Sequence, residues 1–121
     1  MKFLLPLTMI AALATSTAFA DCTAPDGKIT IPNGSKATKD EMLVAKKAVS
    51  AYDAAVKAYS ECLKTDQDAA IAAGGDKMTD EQRDKIVSRF VDMTNAEVEK
   101  VTKLADKLNA EIRAWKAKNP A

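Results

Sequence analysis

The chain of 121 residues has no histidine and only two cysteines. Without an imidazole, no side chain of near-neutral pKa is present to act as a general base, to activate a serine or thiol, or to share a metal ion. Cys22 and Cys62 form no C-x-x-C pair, so a zinc ribbon and a dithiol redox motif are both excluded. Aromatic residues make up 5% of the chain, which leaves a core with few large anchors. An excess of one charge is missing too: the formal net charge is +1, and no basic stripe of the kind that tracks nucleic acid is evident. Glycine and proline are absent from Lys39 to Ala73 and again from Met78 to Asn119. Such uninterrupted stretches suit long helices.

Residues 1–20 read MKFLLPLTMIAALATSTAFA. A positive charge at Lys2, an apolar run from Phe3 to Ala14 and the small-residue pattern Ala18-Phe19-Ala20 predict a secretory signal peptide cleaved between Ala20 and Asp21. The apolar run is short of the roughly 20 residues needed to span a bilayer. Asp21, rather than a small residue, precedes Cys22, which argues against a lipoprotein signal. Loss of Lys2 brings 18 basic residues to 17, equal to the 17 acidic ones. Export places the chain in the periplasm or outside the cell, where disulfides persist, so Cys22 and Cys62 are expected to be bridged. Closing a loop of about forty residues stabilises by roughly 4 kcal/mol on the chain-entropy model.

The remainder divides in two. Residues 21–37, DCTAPDGKITIPNGSKA, carry Pro25 and Pro32 and the turn pairs Asp26-Gly27 and Asn33-Gly34, and predict an extended N-terminal arm. Residues 38–121 predict a helical hairpin with helices over about 39–73 and 80–118. Thr38-Lys39-Asp40-Glu41 and Thr79-Asp80-Glu81-Gln82 are capping boxes, Gly74-Gly75 ends the first helix, and Pro120 follows the second. Met42, Ala45, Val49, Tyr52, Val56, Tyr59 and Leu63 recur at three-four spacing. Val87, Val91, Thr94, Val98, Val101, Ala105, Leu108, Ile112 and Trp115 do the same. The fold class that follows is all-α: a long antiparallel two-helix hairpin, coiled-coil-like, with a disulfide-pinned extended arm. The short connection sets Leu63 opposite Phe90 and Val91, Tyr52 opposite Val101, and Met42 opposite Ile112. A second row on the first helix, Val44, Ala48, Ala51, Ala55, Ala58 and Cys62, is expected to be covered by the arm through Ile29 and Ile31.

No catalytic, cofactor-binding or metal-ligating residues are predicted. Asp66-Gln67-Asp68 opens like a calcium loop, but Ala70, Ile71 and the lack of a closing glutamate break the pattern. Gly74-Gly75-Asp76-Lys77 lacks the spacing of a P-loop. Ser50, Ser60 and Ser88 have no histidine as base. Tyr52, Tyr59 and Trp115 are expected in the core, with the tyrosine hydroxyls at its edge. Asp53–Lys57, Glu81–Lys85 and Glu99–Lys103 read as i,i+4 helix pairs.

The stretches IPNGSKATKDEM and AVSAYDAAVKAYSECL, after a signal peptide and an early cysteine, resemble those of uncharacterised small exported proteobacterial proteins. The resemblance covers about residues 22–63 and implies an architecture but no activity. The expected function is that of a non-enzymatic periplasmic protein working by surface contact, as a structural, adaptor or chaperone-like element. Its partner would be an unknown envelope protein or a second copy, without nucleic acid, cofactor or membrane contact after signal cleavage. A secreted membrane-active effector and a small-ligand carrier are the alternatives.

Overall fold

The structure, a computed structural model, describes residues 22–120. The predicted cleavage site at Ala20 and Asp21 lies outside the described residues. Two helices, α1 (Lys39–Gly74) and α2 (Asp80–Lys118), pack against each other as a hairpin, and no strand occurs among the described residues. Their limits follow from local chemistry. The Glu41 N–H donates to Thr38 Oγ1 at 3.2 Å while the Thr38 N–H donates to Glu41 Oε2 at 2.8 Å. Thr79 and Gln82 repeat that exchange at 3.0 and 3.1 Å at the start of α2. Each box satisfies amides that a helix start leaves without partners. Gly75, with φ of 52°, ends α1 in a conformation that side chains disfavour. A single 3-10 turn, Gly75–Lys77, then reverses the chain.

All seven positions predicted for the α1 seam, from Met42 to Leu63, are buried. Met42, Ala45 and Val49 pack with Leu108 of α2 and Ile31 of the arm; Ile112 and Trp115 pad this cluster. Leu63 shares a cleft with Phe90 and Val91, and Met42 shares one with Ile112, in the predicted register. On α2 only Glu97 and Leu108 are buried. Val91 and Val98, both assigned to the seam from their spacing, are 46% and 47% exposed. The other seven predicted positions of the α2 seam are buried or half-buried, and the seam extends to one side onto the row Phe90, Glu97, Leu104 and Glu111, each buried or half-buried.

The arm corrects a second expectation. It does not lie along the alanine row of α1: Val44 is 67% exposed, and Ala51 and Ala58 are also exposed. Only Ala48, Ala55 and Cys62 of that row are half-buried. The arm instead runs in the groove between the helices, where it buries Ile31 against both. A groove offers two apolar walls where one helix face offers one. The Gly34 N–H donates to the Glu111 carboxylate of α2 at 2.6 Å, and a Cβ at Gly34 would overlap the Glu111 carbonyl. The absence of a side chain is what lets the arm rest on the α2 backbone.

The far end of the arm is fixed by the disulfide Cys22–Cys62, with the Cα atoms 5.7 Å apart. The arm thus spans α1 from Thr38 to Cys62. The buried positions of α1 stop at Leu63, one residue beyond. Toward the 3-10 turn, Ile71, Ile86 and Val87 are only half-buried. Two helices without a third layer bury little, and full burial extends as far as the arm does.

Candidate functional site

Three features of this frame bear on function. The first is a buried polar node that spacing alone did not reveal. Glu97 is 5% exposed, and its carboxylate accepts from the Tyr52 hydroxyl at 2.8 Å and from Lys100 Nζ at 2.7 Å. The sequence places Tyr52 opposite Val101. In the fold its ring reaches Glu97, while Val101 lines a cleft with Val56. The Tyr52 hydroxyl is thus interior rather than at the edge of the core. Gly27 of the arm rests on the Tyr52 ring, where a Cβ would come 2.8 Å from the hydroxyl. The Lys100 hydrogen bond lowers the Glu97 pKa; burial opposes this, and the Tyr52 hydroxyl adds to the lowering. Burial first, then the bond to Glu97, pushes the Tyr52 phenol up to about 12. A carboxylate held anionic and a phenol held neutral, both covered, are not poised to exchange a proton with a ligand near neutral pH. The node locks α1 to α2 beneath the arm.

The second feature is the disulfide. The structure brings the two predicted cysteines together, and an Asp66 carboxylate oxygen lies 3.2 Å from Cys22 Sγ. An oxidised sulfur has no S–H to donate and is not a thiolate, so Cys22, Cys62 and Asp66 do not form a ligand set while the bridge is intact. Asp66, first residue of the rejected calcium-like stretch, is used beside the bridge.

The third feature is a surface. The arm closes the groove on one side of the hairpin, and on the other side the groove is open. Three depressions follow one another along that open side. At the chain-terminal end Met42, Leu43, Ile112 and Trp115 form an apolar slot, rimmed by Lys39, Lys46 and Lys116. Midway, Val56 faces Val98 and Val101. Near the 3-10 turn, Leu63 faces Phe90 and Val91. The predicted helix pairs are present, with Asp53–Lys57 at 2.9 Å, Glu81–Lys85 at 3.2 Å and Glu99–Lys103 at 2.8 Å. The Ser60 hydroxyl, at the edge of the open groove, donates to the Val56 carbonyl at 2.9 Å.

Among the described residues, no helix is long and apolar enough to cross a membrane. Comparison with protein families, with curated proteins and with solved structures finds no match to this chain.

Proposed function

We propose that this is a non-enzymatic exported protein that acts through contacts of its helical surface, as a structural, adaptor or chaperone-like element of the cell envelope. One observation carries the reading. On α2 a glutamate is buried while the valines at 91 and 98 stand about half exposed on the open face. Folding alone favours the reverse choice, since burying a carboxylate costs more than burying a valine. A sequence that breaks this local rule is expected to do so where the surface has a task. The disulfide suits an oxidising compartment, and the resemblance to small exported proteobacterial proteins points the same way. Tyr52 and Glu97 are covered, and the exposed Lys100 is already paired with Glu97.

The test is photocrosslinking in cells that export the protein, from probes at Lys57 and at Lys103, on opposite sides of the hairpin. The reading expects a discrete protein adduct from at least one position. Adducts to lipid alone, or none from either position, would remove it.

A further inference from the structure

The open groove has a charge pattern that its apolar floor does not require. From the middle to the 3-10 turn its α2 wall is neutral: Val91, Thr94, Asn95, Val98, Val101 and Thr102 carry no charge, in a chain whose charged residues amount to 29%. Its α1 wall is basic, with Lys39, Lys46, Lys57 and Lys64, and Lys116 adds to the rim at the Trp115 end. The acidic residues lining it are Asp53 and Glu61, and Asp53 is already tied to Lys57. Among the described residues, Lys39, Lys46, Lys64 and Lys116 have no intramolecular ion pair. Five lysines against two carboxylates line one face of a chain whose whole formal charge is +1.

The groove is also long. From Lys39 to Gln67 along α1 is roughly 40 Å at the helical rise. That length exceeds what a single small amphiphile would occupy and suits a helix of about eight turns. We propose that the open groove docks an amphipathic helix of another protein, its apolar stripe on Val91, Val98 and Val101 and a row of acidic residues against the lysines of α1. Its anchor is a large apolar side chain in the slot between Met42, Ile112 and Trp115, which the lysines rim. A second copy of this chain is a poorer fit. Placed groove to groove, its α1 brings lysines and its α2 brings a neutral wall, and neither supplies the missing acid. This proposal rests on the surface-contact reading above and names the face and the partner's chemistry.

Trp115, the single tryptophan, lines the groove and reports on it. The test titrates the oxidised protein with two synthetic helices of about 28 residues, enough to run the groove's length. Both carry leucine at a and d; one has glutamate at e and g, the other lysine. The acidic helix is expected to shift Trp115 emission saturably and to bind at least roughly tenfold tighter than the basic one. Val91→Asp with Val98→Asp is expected to abolish that binding, and Val44→Asp, away from the groove, to leave it intact. Lys39→Glu, Lys46→Glu and Lys64→Glu together are expected to invert the preference between the helices. Circular dichroism confirms that each variant is folded. Equal affinity for the two helices, no binding of either, or binding untouched by the valine variants would overturn the proposal. If the helices fail while a protein still crosslinks at Lys57 or Lys103, the acidic-helix proposal falls and the surface-contact reading stands. If nothing crosslinks, both fall.

Discussion

Breaking the disulfide with Cys22→Ser and Cys62→Ser removes the covalent cross-link that ties the far end of the arm to α1. The two residues are 40 apart in sequence. On the chain-entropy model a loop of that length stabilises by about 4 kcal/mol at room temperature. A domain of this size has about 5–15 kcal/mol in total. The same loss corresponds to a fall in Tm of roughly 15–30 °C. The structure adds a spatial expectation. Ile31 and the Gly34–Glu111 hydrogen bond still hold the half of the arm nearest α1. The half from Cys22 to Ile29 is left with its contacts on Tyr52 and α2 and with the packing of Ile29 on the core cluster. Urea unfolding followed by circular dichroism, with and without the bridge, gives the free-energy difference. Hydrogen exchange at the Ile29 amide, which donates to the Gly27 carbonyl at 2.9 Å, gives the location of the loosening. A loss below about 1 kcal/mol, with unchanged protection at Ile29, would refute the claim that this bridge maintains a third layer.

Leu63, only 2% exposed, is the most buried side chain, and Leu63→Ala is expected to cost about 2–5 kcal/mol in the same unfolding assay. Gly34→Ala sets a methyl against the Glu111 backbone, so the arm must lift from α2; the expected cost is about 1–3 kcal/mol, with a change in the emission of neighbouring Trp115. Tyr52→Phe leaves the Glu97 carboxylate with Lys100 alone and is expected to cost about 1–3 kcal/mol. Two pH dependences follow from the same node. Glu97 has a lowered folded pKa, so its contribution is present above the ordinary carboxylate range and is lost as pH falls through the lowered value. The stability gap between wild type and Glu97→Gln should therefore hold at neutral pH and close on acid titration. Tyr52 has a raised folded pKa, so its contribution is present below pH 10 and is lost as pH rises through about 12. The part of the tyrosinate absorbance that Tyr52→Phe removes should appear only near that upper value.

Helix limits were legible because capping chemistry is local: Thr38 and Glu41, or Thr79 and Gln82, satisfy each other without reference to the rest of the chain. The α1 seam was legible because its apolar positions are the ones the fold uses. The α2 seam was legible except at Val91 and Val98, because valine is a stronger apolar signal than glutamate. The row Phe90, Glu97, Leu104 and Glu111 keeps heptad spacing but is apolar only at alternate positions. Its two glutamates are buried or half-buried because each finds a specific donor, Tyr52 for one and the Gly34 amide for the other. Those donors come from 45 and 77 residues away, which no local pattern can show. The arm's path was missed for a related reason. Gly27 and Gly34 read as turn residues, whereas in the fold they also let backbone approach a tyrosine ring and a helix.

The placement of the arm and the exposure of Val91 and Val98 have one cause. A hairpin of two helices has a groove on each side, and an arm of this length fills one. With Gly34 bound to Glu111 and Gly27 set on Tyr52, the fold draws Glu97, Leu104 and Glu111 toward the covered side. Rotation of α2 in that direction turns Val91 and Val98 outward on the other. Replacing Glu97 by an apolar residue would not bring the valines back, because the Gly34–Glu111 bond and the packing of Ile31 on Leu108 fix the same rotation. The exposed valines are thus set by two adjoining contacts of one arm segment, more than a heptad away from them. A surface so fixed is presented in one orientation before any partner arrives, and little ordering cost remains to be met on the α2 side of the contact.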